Sequence, residues 1–301
     1  MKALIIILIV LGVIVLLILA IGIALAKLTA GGKRQTLEEA LNWQKGRLNL
    51  DWYIPENITE YIIDSYDGYE LHAALVPNPE KTNKYVVITH GYTDNRYGNF
   101  KYVKLYLDNG YNCVIYDIRG HGVNYKAPCT YSFREGHDVY CVVQDTFRRY
   151  GSDIYLGIHG ESLGAASTVD SIKYYTDENI RFAVADCGFA DIINVLKVSL
   201  RFMHLPGFMI YISTTFYRLM YGVSLWKIRP MDALKGNRIP IMFVHGAKDD
   251  FIVPDNSKRM YDTTEGYKEI HFMERAGHAE SAYVDQRLYG EWLTAFLNGI
   301  D

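Results

Sequence analysis

One serine lies in a pattern that can support nucleophilic chemistry. Residues 160–164 read G-x-S-x-G with Ser162 at the centre, and they follow an apolar run at 154–158. In this pattern a strand turns sharply into a helix, and the two glycines leave room for an exposed serine hydroxyl. A serine hydroxyl is a weak nucleophile until a base takes its proton. The pattern therefore requires a histidine and an acid elsewhere in the chain.

His278 is the predicted base. It lies in the segment A-G-H-A-E, after the last apolar run and before the last helical segment, where a loop can place an imidazole over Ser162. The other histidines have weaker contexts. His90, His159 and His245 each precede a glycine within or at the end of an apolar run, where a role in a turn is the simpler interpretation.

Two adjacent acids compete for the third role. Asp249 and Asp250 follow the apolar run at 241–244. The spacing from the preceding H-G pair at 245–246 favours Asp249 as the acid that orients the histidine, whereas the spacing from the following V-P pair at 253–254 favours Asp250. We favour Asp249 and expect the other acid to face solvent. The resulting chain order of serine, acid and histidine differs from the orders of the two unrelated serine protease architectures.

Acyl transfer also requires hydrogen-bond donors for a developing oxyanion. The backbone N–H of Leu163, directly after the serine, is one predicted donor, and that of Tyr92, in the loop after the third apolar run, is the other. One such donor typically contributes about 3 kcal/mol of transition-state stabilisation. The sequence contains no H-E-x-x-H and no comparable ligand spacing. We therefore expect no metal ion and no other cofactor.

Short apolar runs alternate with helix-length segments over most of the chain. Two runs around Asp67-Gly68 predict an antiparallel hairpin. Six later runs are typical of buried parallel strands, and they begin at Tyr85, Cys113, Ile154, Phe182, Ile241 and Glu269. Because parallel strands need crossover helices, the pattern predicts an α/β fold: eight mostly parallel strands, helices on both faces, and an antiparallel strand at one edge. Ligands bind such sheets at the carboxyl ends of the strands, where the predicted site residues fall.

Three further divisions follow from composition. Residues 1–27 form an apolar segment, 28–52 a polar linker with a short helix, and 53–301 one large domain. Within that domain, 188–235 interrupt the alternation and are too long for a plain loop. We predict that they form two or three short helices that cap the site as a lid insertion. Ordinary helical packing onto the sheet is the alternative.

Residues 3–26 contain no charge, and 24 apolar residues are enough to cross a hydrocarbon layer of about 30 Å as one helix. A cleaved signal peptide is the alternative, because Ala24-Leu25-Ala26 resembles a cleavage site, but its apolar region is expected to span only about 7 to 15 residues. We expect a single-pass anchor in the cell membrane. The basic residues that follow the span favour a catalytic domain on the cytoplasmic side. The tail of two residues before the span is only weak evidence, because such a short N-terminus often stays inside the cell. The side of the membrane on which the domain lies therefore stays open.

Charge argues against one class of partner. The formal net charge is −3, and the basic residues are spread along the chain and form no stripe. We therefore expect no nucleic-acid partner. Nothing in the composition predicts an oligomeric state.

From about residue 53 to the C-terminus the chain resembles the α/β-hydrolase superfamily. Beyond G-x-S-x-G, the segments H-G-Y-T-D-N at 90–95, Y-D-I-R-G-H-G at 116–122 and G-H at 277–278 are similar to membrane-anchored bacterial serine hydrolases of the lysophospholipase, esterase or serine aminopeptidase-like kind. The resemblance implies the α/β-hydrolase fold, with a triad and an oxyanion hole formed by Ser162, Asp249, His278, Tyr92 and Leu163. In those relatives the V-P proline comes one residue earlier, so Asp250 remains an alternative acid.

These features favour a membrane-anchored serine hydrolase that cleaves carboxylic esters through an acyl-enzyme. Its substrate would be a small-molecule or lipid ester. A serine peptidase, an aminopeptidase-like enzyme or an acyltransferase can use the same residues. A noncatalytic interaction module is a further alternative, but every group needed for acyl transfer is present. The sequence does not determine the acyl chain or the leaving group.

Overall fold

A sheet of eight strands forms the centre of the protein in the computed structural model, which describes residues 1–175 and 180–300. In chain order the strands are β1 (Thr59–Asp64), β2 (Glu70–Val76), β3 (Lys84–Thr89), β4 (Asn112–Tyr116), β5 (Tyr155–Glu161), β6 (Ile180–Asp186), β7 (Ile241–Gly246) and β8 (Lys268–Met273). Their order across the sheet is β1-β2-β4-β3-β5-β6-β7-β8. The predicted eight-stranded, mostly parallel sheet is confirmed.

The antiparallel strand lies one position inside the edge. β2 pairs antiparallel with both β1 and β4, whereas the pairs from β4 to β8 are parallel. β1 therefore runs in the same direction as the parallel strands, and the expected position of the antiparallel strand is corrected. The tight turn at Asp67-Gly68, where Gly68 has a φ of 75°, reverses the chain between β1 and β2, and the other side of β2 pairs with β4, which leaves β1 at the edge.

Ten α-helices lie around the sheet in the described residues. They are α1 (Lys2–Ala30), α2 (Leu37–Lys45), α3 (Phe100–Asp108), α4 (Glu135–Tyr150), α5 (Leu163–Ser171), α6 (Ile192–Phe202), α7 (Met209–Tyr221), α8 (Asp255–Thr263), α9 (Ser281–Val284) and α10 (Gln286–Ile300).

Two hydrophobic cores lie on the two faces of the sheet. Along β3, Val87 belongs to the core that contains α4 and α5, whereas its neighbours Val86 and Ile88 belong to the core that contains α3 and α10. This alternation is the period of two expected of a strand that is buried on both faces. The predicted placement of helices on both faces is confirmed.

The last helical segment, which follows His278, is interrupted. α9 ends before Asp285, and α10 begins directly after it. Asp285 Oδ1 accepts a hydrogen bond from the backbone N–H of Leu288 at 2.9 Å. Because this contact satisfies an N–H that the first turn of a helix leaves unpaired, it starts a new helix at this point.

The segment 188–235 contains α6, α7 and two short 3₁₀ turns. Asp191 begins α6 by accepting the backbone N–H of Asn194 at 3.1 Å. The apolar face of α6 is buried towards the site, and α7 packs against α1. Two helices therefore occupy the segment, and its role as a lid stays a prediction.

α1 is long and apolar enough to cross a membrane, with a mean hydropathy of 3.8 in its most apolar window. A signal sequence near the N-terminus can be equally long and apolar, so these two properties alone do not distinguish it from a membrane span. After α1 the chain follows the domain surface, where the backbone N–H of Gln35 donates to the Thr93 carbonyl at 2.7 Å. The divisions 1–27, 28–52 and 53–301 stay a prediction.

Candidate active site

Ser162 lies at the junction of β5 and α5, in the G-x-S-x-G turn. Its φ and ψ of 53° and −114° are a combination that residues with a side chain rarely adopt. Its backbone N–H donates to the Asp186 carbonyl at 2.8 Å, which ties the turn to the end of β6. Backbone strain of this kind costs about 1–3 kcal/mol and is concentrated at functional sites.

The two glycines of the turn allow three backbone segments to approach one another. A Cβ placed on Gly160 would lie 2.2 Å from the Gly164 carbonyl oxygen, and one placed on Gly164 would lie 2.1 Å from the Thr89 carbonyl oxygen. Because both obstacles are backbone atoms, they cannot rotate away as a side chain can. The turn therefore requires glycine at both positions.

Gly164→Ala should lower the free energy of unfolding by about 1–3 kcal/mol, because the methyl group forces α5 away from β3. Chemical denaturation of the purified variant measures this change. Gly31→Ala is the matched control, because a Cβ at Gly31 meets no atom within 4 Å. Equal unfolding midpoints for Gly164→Ala and the wild type would contradict the close approach.

Three residues far apart in the chain form a hydrogen-bonded series. Ser162 Oγ lies 2.9 Å from His278 Nε2, and His278 Nδ1 lies 2.6 Å from Asp249 Oδ2. Ser162 and Asp249 are buried, whereas His278 is partly exposed. The structure thus brings the predicted nucleophile, base and favoured acid into direct contact.

Asp249 is held by donors on both carboxylate oxygens. Oδ1 accepts the backbone N–H groups of Phe251 at 3.0 Å and Ile252 at 2.8 Å, and Oδ2 faces His278 and His245. Burial raises the pKa of Asp249, but the hydrogen bonds from His245 and His278 outweigh burial and lower its pKa to about 2. The carboxylate is therefore negatively charged at neutral pH.

Asp250 is exposed, whereas Asp249 is only 3% exposed. The two residues are adjacent at the end of β7, and only Asp249 is turned inward to His278. The structure therefore places the favoured acid, and not its alternative, against the imidazole.

His245 is a contact of Asp249 that sequence reasoning missed. It is fully buried, with Nε2 2.6 Å from the Ile252 carbonyl oxygen and 3.2 Å from Asp249 Oδ2, and with Nδ1 2.7 Å from Ser257 Oγ. Because a carbonyl oxygen only accepts, these partners assign the proton to Nε2, and the Ser257 hydroxyl donates to Nδ1. The one feature of the sequence that could have indicated this contact is the spacing of four residues between His245 and Asp249.

The loop after β3 lies beside Ser162. A Cβ on Gly91 would lie 3.5 Å from Ser162 Cβ, so this loop reaches the serine closely. His90 supports the loop: its Nδ1 lies 2.7 Å from the Gly91 carbonyl oxygen, and its Nε2 accepts the backbone N–H of Ile118 at 2.9 Å. Burial lowers the pKa of His90 to about 3, so the ring stays neutral. Tyr92 follows in this loop and lines the cavity next to Ser162 and Leu163.

A buried ion pair connects the segments that carry the serine and the histidine. Lys101 pairs with Glu161, which precedes Ser162, and Lys101 Nζ also donates to the carbonyl of Ala279, which follows His278, at 3.4 Å. Burial lowers the pKa of Lys101, but the attraction of Glu161, together with smaller contributions from Tyr283 and Asp94, outweighs burial and makes the net shift upward. Lys101 is therefore charged and holds both segments, a role for which the sequence carried no recognisable signal.

A cavity of about 210 Å³ opens next to Ser162. Its remaining walls include residues after β6 and after β7, α6, the first part of α7 and the end of α1, and none of the described residues that line it carries a charge. The α6 contribution consists of Ile192, Val195, Leu196, Ser199 and Leu200. Such a lining accommodates the apolar part of a ligand, and its polar side chains are uncharged hydroxyl groups, that of Ser162 among them.

Comparison with known proteins identifies a relative over the whole chain and solved structures with a similar fold. No family model matches the sequence. The chain is 28% identical over 299 residues to the uncharacterized protein YqkD of Bacillus subtilis (strain 168), and the match covers 98% of each chain.

Solved structures of esterases and α/β hydrolases share the architecture. The esterase Pf2001 of Pyrococcus furiosus superposes with a TM-score of 0.68 at 19% identity, over 84% of this chain and 96% of that one. The esterase EaEST of Exiguobacterium antarcticum gives a TM-score of 0.60 at 15% identity, over 80% and 100%. The α/β hydrolase GrgF of a Penicillium species gives 0.62 at 14% identity, over 81% and 98%. At these identities the likeness concerns the fold.

Proposed function

The chain has the α/β-hydrolase fold predicted from its sequence, and on that premise we propose that it is a serine hydrolase that cleaves carboxylic esters. The observation that carries the proposal is the hydrogen-bonded series of Ser162, His278 and Asp249 next to an apolar cavity. The fold alone would be insufficient, because one fold supports many activities.

Acylation begins at Ser162. Its Oγ attacks the ester carbonyl carbon, its proton passes to His278 Nε2, and the carbonyl electron pair moves onto oxygen. The oxyanion accepts hydrogen bonds from the backbone N–H groups of Leu163 and Tyr92. As this intermediate collapses, the bond from carbon to the alcohol oxygen breaks, and His278 returns the proton to that oxygen. The products are an acyl-enzyme and a free alcohol.

Deacylation repeats these steps with water. A water molecule gives a proton to His278 as its oxygen attacks the acyl carbon, the bond from carbon to Ser162 Oγ breaks, and His278 returns the proton to Oγ. The product is a carboxylic acid. Throughout, Asp249 holds His278 in the tautomer with a proton on Nδ1 and stabilises its positive charge. Every proton is moved by a side chain of this protein, so the reaction needs no cofactor.

We also propose that α1 anchors the protein in the cell membrane as a single span. Its apolar side chains from residue 4 to residue 19 are largely exposed, and exposure of so many large aliphatic groups to water is unfavourable. Embedding them in a bilayer removes that cost. The expected substrate is then a small-molecule or lipid ester at the membrane.

Ester turnover by the purified full-length protein in detergent micelles tests the activity. We expect hydrolysis of p-nitrophenyl esters well above the uncatalysed rate, slower hydrolysis of aminoacyl p-nitroanilides, and no change on addition of EDTA. Faster turnover of the anilides would identify a peptidase. Ester turnover equal to background, or its loss with EDTA, would contradict the proposal.

A further inference from the structure

α1 has two parts that differ in burial. Residues 2–21 are exposed, whereas buried positions occur from Gly22 to Ala30. At 1.5 Å per residue, the exposed part is about 30 Å long, which is the thickness of the hydrocarbon layer of a bilayer. The second part therefore lies beyond the length that a membrane span requires, and it packs into the hydrolase domain.

The second part fits closely against α7. A Cβ on Gly22 would lie 2.3 Å from the ring of Phe216, so glycine is needed for this ring to lie on the helix backbone. One residue before the end of α1, Thr29 Oγ1 lies 3.0 Å from Ser213 Oγ. These contacts hold α1 along the side of α7.

The last carbonyl groups of α1 have partners in the domain. The Tyr131 hydroxyl donates to the Thr29 carbonyl at 2.5 Å, and the backbone N–H of Cys129 donates to the Ala30 carbonyl at 2.8 Å. Carbonyl groups at the end of a helix lack partners within the helix, so these contacts satisfy them. The Tyr217 hydroxyl of α7 donates to the Cys129 carbonyl at 2.5 Å, so the loop that contains Cys129 connects α7 with the end of α1. The end of α1 is therefore held in a defined position.

This position brings α1 to the cavity beside Ser162. Leu25, Leu28 and Thr29 line one side of the cavity, and α6 residues such as Leu196 and Leu200 line another. A helix that served only as a tether would not need to contribute side chains to the wall of the site.

We infer that the last two turns of α1 form one wall of the acyl site, and that the substrate is an ester of a single hydrocarbon chain lying against Leu25 and Leu28. The inference rests on the proposed ester hydrolysis. The size of the cavity decides between one chain and two. A dry apolar cavity of about 150 Å³ holds one benzene molecule. At about 210 Å³, this cavity accommodates part of one chain and not two chains side by side.

The route of such a chain follows from the same helix. Leu25 and Leu28 lie about 6 and 10 Å along the axis from residue 21, the end of the exposed part. The cavity therefore begins close to the level at which α1 leaves the hydrocarbon layer. A chain that follows α1 from the bilayer to Ser162 keeps apolar surroundings for most of its path, which avoids the cost of exposing it to water.

Leu28→Trp tests the wall of the site. Leu28 is 55% exposed, so a larger side chain can be accommodated without disrupting the core, yet it narrows the cavity. We expect the ratio of kcat/KM for p-nitrophenyl octanoate to kcat/KM for p-nitrophenyl acetate to fall by about tenfold or more, the size typical of a changed apolar pocket. Leu19→Trp, on the exposed part of the same helix, is the matched control and should keep the wild-type ratio.

The outcomes separate this inference from the proposed function. Unchanged ratios in both variants, with esters still hydrolysed, would overturn the inference and leave the hydrolase proposal intact. Absence of ester turnover in the wild type would count against the hydrolase itself. Labelling of Ser162 by a small fluorophosphonate in each variant checks that the site is folded.

A photoreactive probe measures directly which residues lie next to the hydrocarbon chain of a bound ligand. An alkyl fluorophosphonate with a diazirine near the end of its chain bonds to Ser162 Oγ through phosphorus, with loss of fluoride and transfer of the serine proton to His278. Irradiation then releases nitrogen, and the carbene inserts into a neighbouring C–H bond. Mass spectrometry of the full-length protein should find the cross-link within residues 22–30. A Ser162 adduct whose chain cross-links only to other segments would overturn the inference.

Discussion

Ser162→Ala should lower kcat for ester hydrolysis by about 10⁴-fold or more, because the attacking oxygen is removed while the fold and the cavity remain. In the proposed mechanism, Ser162 Oγ is the one atom of the hydrogen-bonded series that forms a covalent bond to the substrate. Its strained backbone and its 2.9 Å contact with His278 have no evident structural purpose without that role. Initial rates with a p-nitrophenyl ester measure the change.

Covalent labelling provides an independent readout of the same substitution. A fluorophosphonate should label the wild type and Ser152→Ala, whose serine is exposed in a turn, and should fail to label Ser162→Ala. Labelling retained in Ser162→Ala, or activity within tenfold of the wild type, would assign the nucleophile to another residue.

Asp249→Asn should lower kcat by about 10⁴-fold, because a neutral amide neither selects the correct tautomer of His278 nor stabilises its positive charge. Asp250→Asn is the matched control: the same chemical change one residue away, at an exposed position, should leave kcat within about twofold. Steady-state rates of the two variants decide between the two acids. The opposite result, a large loss only in Asp250→Asn, would show that the inward acid has a structural role.

The difference in stability between the wild type and Asp249→Asn should depend on pH. The pKa of Asp249 is lowered from 3.8 to about 2 in the folded state, so its charged form stabilises the fold at pH values above its unfolded pKa. That contribution is lost as the pH falls through the folded pKa. The wild type should therefore unfold at a higher denaturant concentration than Asp249→Asn at pH 7, and the difference should shrink towards pH 3. A difference independent of pH would contradict the assigned charge.

Local patterns were sufficient to select Ser162 and His278 as candidate site residues, and the structure places the two side chains in contact. The G-x-S-x-G pattern can be recognised from five consecutive residues, although only one of its two glycines is required by a local contact: Gly160 approaches the Gly164 carbonyl, whereas Gly164 approaches Thr89 of β3. His278 was selected by its position after the last strand. Their hydrogen bond of 2.9 Å could not be read from spacing, since 116 positions separate them.

The choice of the acid and the contact of Asp249 with His245 could not be predicted from local sequence patterns. Asp249 and Asp250 have the same side chain and adjacent positions, so composition and spacing left both open. The backbone N–H groups of Phe251 and Ile252 turn one carboxylate inward. His245 resembled a turn residue, and its contact with Asp249 depends on how the chain folds back after β7.

The sequence by itself determined the alternation of strands and helices, the serine turn and the long apolar helix, because periodicity and backbone conformation depend on neighbours in the chain. Only the tertiary structure decided where β2 inserts, which acid faces His278, and that the end of α1 lines the cavity beside Ser162. These features depend on contacts between distant segments, such as Gly22 with Phe216. Such contacts arise from the packing of complete elements, which no short pattern in the chain encodes.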